Sequence, residues 1–236
     1  MTARAGVFAL VLVVVLAGCF GNPGATPTDR TDPTSGPSNP SPTALGPVGV
    51  TNGTLSNVTA LLDQYEGSLT NVGFVAEVRA DNETIEYTYA TDGSRMVRVD
   101  DGSTVIWTNG TASLMREVNG SNVTYSAPPE GVPSVAMLAQ TSRIRSLLVA
   151  ARYERSGTTQ CGNNTCIVLT DVGSRNYENF TAEVRVDRFG VIHRFDAEYV
   201  RSTDGTRFEY LFTIRQLRTS SIDRPSWVEE GLNSTR

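Results

Sequence analysis

The sequence contains no lysine, so all 20 of its basic residues are arginine. Removal of an N-terminal segment that carries Arg4 would leave 19 basic against 25 acidic residues, a net charge of −6. Proteins that bind nucleic acid or an anionic lipid surface by charge present clusters of basic residues. The charge balance therefore argues against nucleic acid as a partner. The missing lysines and the mild acidity also favour a source with a GC-rich genome and a salt-tolerant protein surface.

Histidine is almost as scarce, because His193 is the only one in 236 residues. One histidine excludes metal sites built from several, and no Gly-x-Ser-x-Gly, Gly-Lys-Ser/Thr or His-Glu-x-x-His pattern is present. The paired acids Asp100-Asp101 and Glu229-Glu230 fit a hairpin turn and a solvated tail better than glycoside hydrolysis. We therefore predict no catalytic residue, no metal and no cofactor. His193 itself is predicted to lie in a core or line a cavity, with a general base as the alternative.

Cysteine is scarce too, and only two of the three cysteines lie close together in the sequence. Cys161 and Cys166 bracket the turn-forming sequence Gly-Asn-Asn-Thr, which predicts a disulfide across the mouth of a hairpin. Zinc binding is the alternative, but it would need two further ligands. The remaining cysteine, Cys19, lies in a different kind of motif.

Cys19 ends the sequence Leu-Ala-Gly-Cys, which follows Arg4 and an apolar run from Val7 to Leu16. A charged start, about ten apolar residues and small residues before a cut are typical of a signal peptide, and the run is too short to span a bilayer. A cysteine at the cut makes the motif a lipobox. We predict that residues 1–18 are removed and that Cys19 carries the lipid that holds the protein on the outer face of the cell membrane.

Residues 19–50 are predicted to be a disordered stalk. Between Gly21 and Pro47 the chain is mostly Gly, Pro, Ser, Thr, Asn and Asp, and Leu45 is the only large apolar residue. Such a composition buries too little apolar surface to offset the ordering of the backbone, and frequent proline favours an extended spacer. Residues 51–236 then form a single domain, which is large enough for a substantial core.

Asn-Xaa-Ser/Thr sequons are dense in this domain. The functional interpretation is a glycosylated surface, and the alternative is that Asn-Gly-Thr and Asn-Gly-Ser are simply turn sequences. The nine candidate acceptors are Asn52, Asn57, Asn82, Asn109, Asn119, Asn122, Asn163, Asn179 and Asn233.

Two helical segments are predicted from apolar residues that recur every three or four positions. The first runs from Leu55 to Leu69 and is closed by Gly73. The second covers Ser134 to Arg155, where two arginines would favour a helix C-terminus.

The rest of the domain is predicted to be antiparallel sheet. Four Asp-Gly or Asn-Gly turns, eight to ten residues apart, divide 74–125 into about six strands. Later strands alternate clearly, with Ala182, Val184 and Val186 on one face and an aromatic-rich face from Phe208 to Ile214. A long one-sided sheet must cover its apolar face, and only the two helical segments are available. The predicted fold is α+β, a curved antiparallel sheet or half-barrel wrapped over two helical segments.

This order of lipobox, stalk, helix, β-meander, central helices and terminal long hairpins resembles the LolA/LppX-like lipoproteins. The absence of lysine and the closing sequence Arg-Pro-Ser-Trp-Val at 224–228 also resemble haloarchaeal surface lipoproteins of unknown function. The resemblance covers Leu55 to Val228. It implies a fold that in some relatives holds acyl chains between sheet and helices, and no binding residue can be transferred by position.

The predicted function is a non-enzymatic binding module for a lipid or other apolar ligand, held between sheet and helices. The alternative is a glycosylated envelope scaffold, or an interaction lipoprotein, with a fully packed core. A continuous apolar cavity of about 300 Å³ or more would favour the first, and normal interior packing the second. The candidate ligand-binding residues are Leu138, Leu147, Leu148, His193, Phe195, Tyr199, Phe208, Tyr210 and Phe212.

Overall fold

The structure, a computed structural model, describes residues 46–129, 131–174, 177–201 and 204–234. The predicted signal peptide and the predicted lipidation site Cys19 lie outside these ranges. Within the described ranges no helix combines the length and the apolar character that a membrane crossing requires.

Along the chain, two long runs of strands are separated by short helical segments. The helices are α1 (Val58–Val72), α2 (Val135–Leu138), α3 (Thr141–Ala150) and α4 (Trp227–Ser234). The first eight strands are β1 (Val50–Thr51), β2 (Thr54–Leu55), β3 (Phe74–Ala80), β4 (Glu83–Tyr89), β5 (Arg95–Val99), β6 (Thr104–Thr108), β7 (Ser113–Asn119) and β8 (Asn122–Ser126). The remaining strands are β9 (Ala151–Cys161), β10 (Asn164–Ser174), β11 (Glu178–Asp187), β12 (Ile192–Val200) and β13 (Arg207–Leu217).

Helix α1 has clear start and stop signals. The side chain of Asn57 accepts a hydrogen bond from the backbone N–H of Ala60, which caps the first turn. Gly73 ends the helix at a φ of 65° and a ψ of 157°, a conformation that is essentially restricted to glycine. The helix therefore ends where the sequence predicts, one residue before β3. It begins at Val58 and not at the predicted Leu55, because Leu55 lies in β2 and Asn57 caps the first turn.

The second helical segment is shorter than predicted and is broken in two. Gln140, at a φ of 55°, separates α2 from α3, and α3 ends at Ala150. The prediction that helix continues to Arg155 is wrong, because residues 151–161 form β9 and pair with β10 along its length. The hydroxyl of Tyr153 donates to the carbonyl of Leu147, so the start of β9 is bonded to the last turns of α3.

All thirteen strands of the described residues belong to one antiparallel sheet. Strands β3 to β8 form a meander, strands β9 to β13 form a second one, and pairing of β13 with β3 joins them. The sheet is not closed, and its outermost strands in the described chain are β1 and β8. The predicted α+β fold, an unclosed curved antiparallel sheet over helices, is confirmed.

The main core lies between this sheet and helices α1 to α3. Ala182, Val184 and Val186 face it from β11, as the alternation predicts. Leu61, Leu62 and further residues of α1 cover the sheet from the other side. The helices therefore fill the concavity of the half-barrel.

Two terminal segments differ from the sequence analysis. Residues 46–50, assigned there to the stalk, are folded, and the carbonyl of Gly49 accepts hydrogen bonds from the backbone N–H groups of Ser56 and Asn57. The predicted solvated tail around Glu229 and Glu230 is helix α4. It buries Val228 against Trp107 and Leu114 in a second, smaller core.

Candidate functional site

The predicted ligand-binding residues meet in the main core, with one exception. Leu138, Leu147 and Leu148 come from α2 and α3. The aromatic residues come from neighbouring positions of β12 and β13, where Phe195 pairs with Phe212 and Tyr199 pairs with Phe208. Tyr210 also lies in this core, and Phe208 packs against it while remaining partly exposed. The exception is His193.

The centre of this group is closed. Leu138, Leu147, Phe195 and Phe212 have 0% of their surface accessible to solvent. A side chain that borders a space large enough for water retains accessible surface, so these four residues border no such space. The ring of Tyr65 fills the position beside Phe212, with ring centroids 6.4 Å apart in an edge-to-face arrangement. We call Leu138, Leu147, Phe195, Phe212 and Tyr65 the closed centre.

The aromatic rings at the far end of β12 form a separate cluster. It comprises Tyr177, Phe180, Tyr199 and Phe208, and we call it the aromatic end. The centroid of Tyr199 lies 4.4 Å from that of Tyr177 and 5.3 Å from that of Phe208, with the latter pair stacked. Tyr177 and Phe208 are each only partly buried, so this end of the core reaches the surface. Sequence alternation found Tyr199 and Phe208 but missed Tyr177 and Phe180.

An arginine from α3 completes the aromatic end. The guanidinium of Arg143 donates a 2.7 Å hydrogen bond to the Tyr199 hydroxyl. It also lies over the rings of Tyr199 and Tyr210, at 6.0 and 5.6 Å from their centroids. Such positions attract a cation through the negative face of the ring. No sequence motif marks this arginine, because its partners are distant in the chain.

Three tyrosines gather beneath the break between α2 and α3. The Tyr65 hydroxyl donates to the carbonyl of Ala139 at 3.0 Å, and Tyr87 is hydrogen-bonded to the side chain of Gln140. Burial raises the pKa of Tyr65 well above its usual value and that of Tyr87 to about 12. Burial also raises the pKa of Tyr210, although the positive charge of Arg143 opposes the shift. All three hydroxyls can donate a hydrogen bond, since a tyrosine is protonated at neutral pH even without such a shift.

Alternation along the strand would place His193 on the apolar face between Val191 and Phe195, but its side chain does not face the apolar core. A β-bulge interrupts the pairing of β11 with β12, because Arg185 pairs with Arg194 and Val186 pairs with Ile192. Ile192 consequently takes the buried position, and the imidazole of His193 lies 3.0 Å from the carboxylate of Asp187.

Asp187 is the centre of a polar network at the end of β12 opposite to the aromatic end. Its carboxylate accepts hydrogen bonds from Asn164 and from the backbone N–H groups of Phe189 and Val191, besides its contact with His193. Burial alone would raise the pKa of Asp187, but the hydrogen bonds from His193 and the backbone outweigh it and the pKa is lowered.

Two surface cavities flank this network. One, of about 280 Å³, is lined by His193 together with residues of the β9–β10 hairpin and of 214–218, and none of its lining residues is a Ser, a Thr or a free Cys. The other, of about 1400 Å³, lies between residues 46–53 and the β9–β10 hairpin. No residue of α1, α2 or α3 lines either one, so neither is the apolar cavity that the sequence predicts.

The disulfide is confirmed, since Cys161 and Cys166 are bonded across the β9–β10 turn with their Cα atoms 5.9 Å apart. All nine candidate glycosylation acceptors are exposed, which leaves their modification a prediction. In the described parts of the chain, no three His, Cys, Asp or Glu side chains are placed to hold a metal ion. The absence of catalysis also stays a prediction.

Comparison with known proteins gives similarity of structure alone. No protein-family model matches the chain, and no curated protein matches its sequence. LprF from Mycobacterium bovis is 9% identical with a TM-score of 0.43, over 72% of this chain and 96% of LprF. The LolA superfamily protein NE2245 from Nitrosomonas europaea is 8% identical with a TM-score of 0.24, over 70% and 94% of the two chains.

MucB of Pseudomonas aeruginosa, solved in complex with MucA, is 11% identical with a TM-score of 0.33 over 74% of this chain. The present chain spans only 60% of the length of that protein. At such identities and scores these similarities assign neither a family nor a function. The function must be argued from the geometry of this molecule.

Proposed function

We propose that this chain is a lipid-anchored, non-enzymatic cell-surface protein that binds an apolar or amphipathic ligand at the aromatic end of its half-barrel. The observation that carries the proposal is the cluster of stacked rings where the core reaches the surface. Tyr199 joins Tyr177 and Phe208 there, and both of these remain partly exposed. Aromatic surfaces of this kind offer a ligand a large apolar contact area with little loss of side-chain freedom.

The position of the site differs from the one that the sequence suggested. A ligand held between sheet and helices would need space beside Phe195 and Phe212, and both residues are fully buried. Opening that space would separate close-packed side chains at a cost of several kcal/mol. Binding at the aromatic end needs no opening of the closed centre, because Tyr177 and Phe208 are partly exposed. The guanidinium of Arg201 lies 4.5 Å from the Phe208 centroid, but this side chain is exposed and can give way to the ligand.

Unfolding measurements with membrane lipid extract test the proposal. A ligand that binds only the native state raises the apparent stability by mass action, so the extract should raise the unfolding midpoint of the wild type. Phe208→Ala should abolish this rise and cost little stability, since Phe208 is partly exposed. Phe212→Ala should cost about 3 to 5 kcal/mol but keep the rise, because it empties part of the closed centre instead.

A lipid-independent midpoint in the wild type would overturn the proposal. Equal loss of the lipid effect in Phe208→Ala and Phe212→Ala would place the ligand in the closed centre.

The second candidate function is an envelope scaffold or protein-interaction lipoprotein. The full burial of the closed centre favours it, because a core packed to this degree needs no ligand for its stability. Its exposed asparagines would carry glycans, and its partner would be another protein of the cell surface. Under this function the lipid extract should not alter the unfolding midpoint. Phe208→Ala should then change the stability only through the packing contacts that it removes.

A further inference from the structure

Arg143 carries a positive charge that the described parts of the chain do not neutralise. No carboxylate in those parts forms an ion pair with it, and its hydrogen-bond acceptor is the neutral hydroxyl of Tyr199. The charge is also half-buried, which makes the loss of its hydration costly unless an anion compensates it. Arg215, by contrast, pairs with Glu77. Arg145 on the same helix also lacks a carboxylate partner in those parts, but no aromatic ring there lies beneath its guanidinium as Tyr199 and Tyr210 lie beneath that of Arg143.

Beside it, Tyr210 carries a hydroxyl without a hydrogen-bond partner. Only 3% of Tyr210 is exposed, and its ring lies under the guanidinium of Arg143. The two neighbouring tyrosines do not share this state, because Tyr65 is bonded to Ala139 and Tyr87 to Gln140. A buried hydroxyl that lacks a partner lowers stability, so its presence next to an uncompensated cation calls for an acceptor from outside the chain.

We propose that the half-buried Arg143 binds the anionic head of an amphiphile whose apolar part lies on the aromatic end, and that the Tyr210 hydroxyl joins this site when the guanidinium that lies over its ring turns toward the head. The inference rests on the proposed function and adds the chemical class of the ligand to it. A carboxylate or a phosphate fits, since a guanidinium and a phenol both donate to such oxygens, and a guanidinium can do so through two parallel bonds. Tyr177 and Phe208 then contact the chain of the amphiphile.

Three amphiphiles with one chain length separate the head from the tail. The full chain, purified in a detergent with an uncharged head, is titrated with decanoate, decyl phosphate and decanol. At least one of the two anions should bind the wild type about tenfold tighter than decanol, the range expected for hydrogen bonds to a charged group. The anion that binds more tightly identifies the head as a carboxylate or a phosphate.

Arg143→Gln should remove this preference and leave the affinity for decanol within about twofold. Arg145→Gln is the matched control, because Arg145 lies on the same helix and also donates to a hydroxyl, that of Thr59. It should keep the wild-type preference.

Tyr210→Phe distinguishes a binding role from a structural one. A hydroxyl that is bonded within the protein stabilises it, so its removal would lower the unfolding midpoint. The unpartnered hydroxyl of Tyr210 predicts the opposite for the ligand-free protein, a midpoint that is unchanged or raised. The same variant should bind the preferred anion about tenfold more weakly than the wild type.

Several results would overturn the inference. Equal affinity of the wild type for decanol and both anions would refute the inference that the ligand has an anionic head, but it would leave the proposed function intact. Equal effects of Arg143→Gln and Arg145→Gln would show that Arg143 does not bind the head specifically. Saturation of the effect by inorganic phosphate alone would show a site for a free anion instead of an amphiphile. Failure of all three amphiphiles to bind would instead refute the proposed function itself.

Discussion

A single buried carboxylate, Asp187, connects three strands and the turn between two of them. It accepts hydrogen bonds from Asn164 of β10 and His193 of β12, and from backbone N–H groups at Phe189 and Val191. Bonds to a buried charge are stronger than bonds between neutral groups, and loss of the charge leaves several donors poorly satisfied. We therefore assign to this network a structural role at the end of the sheet opposite to the aromatic end.

The lowered pKa of Asp187 predicts a specific dependence of stability on pH. Because the folded-state pKa lies below the ordinary value of 3.8, the carboxylate stabilises the fold above about pH 4. This contribution is lost as the pH falls through the lower, folded-state pKa. Urea unfolding at pH 7, 5 and 3 should show a fall at the acid end that is smaller in Asp187→Asn.

Asp63→Asn, which removes a carboxylate from the exposed side of α1, controls for the change of net charge. A pH profile of Asp187→Asn that superimposes on the wild type would contradict the assignment.

Gly73 is a position where the backbone itself excludes a side chain. Its φ of 65° and ψ of 157° suit glycine alone, and a Cβ there would overlap the carbonyl oxygen of Thr219. Gly73→Ala should therefore lower the free energy of unfolding by about 3 kcal/mol. Gly67→Ala, within α1 where a Cβ meets no atom, should raise it by about 1 kcal/mol. Denaturant unfolding measures both, and equal effects of one sign would refute the argument.

The β9–β10 hairpin is closed by both a backbone ladder and a disulfide, so the bond should be a local support. Cys161 and Cys166 enclose only a short loop, for which the chain-entropy model gives about 2 kcal/mol. The double variant Cys161→Ser with Cys166→Ser should lose about that much stability and keep its fold. In the wild type, both thiols should react with a label only after reduction. Labelling of native, unreduced protein, or a double variant without a cooperative transition, would contradict this.

Elements with strong local signals were predictable, and elements that depend on distant partners were not. Gly73 marks the end of α1 in the sequence, and Asx-Gly turns mark the strands of the first meander. The predicted start of α1 at Leu55 was wrong, because Leu55 lies in β2 and Asn57 caps the helix. Residues 151–155 carry a helix-like composition, but pairing with β10 makes them a strand. Helix α4 depends on Trp107 and Leu114, which lie more than a hundred residues earlier in the chain.

The same distinction holds for the candidate site. Alternation placed Tyr199, Phe208 and Tyr210 on one face, and they do share it. It failed at His193, because a bulge reverses the alternation and no local residue signals the bulge. Arg143 was missed because its significance arises only from the rings that the sheet brings beneath α3.

The start of the described chain and the proposed ligand site lie at opposite ends of strand β12. Residues 46–53, where the described chain begins, line the same groove as Arg188 in the turn before β12. Tyr199 and the aromatic end lie at the other end of this nine-residue strand, about 30 Å away at the rise of an extended chain. The predicted stalk therefore joins the domain at the end of β12 opposite to the proposed ligand site.

Cys19→Ser tests the predicted anchor in the intact protein. Without a thiol at the cut, no lipid can be attached, so the variant should leave the membrane fraction or accumulate with its signal peptide uncut. The double variant Cys161→Ser with Cys166→Ser is the matched control, since it also removes cysteines but should stay in the membrane fraction at mature size. Mass spectrometry of the wild type should show a lipid on the peptide that begins at Cys19. A mature-sized Cys19→Ser protein that remains membrane-bound, together with an unmodified wild-type N-terminus, would refute the anchor.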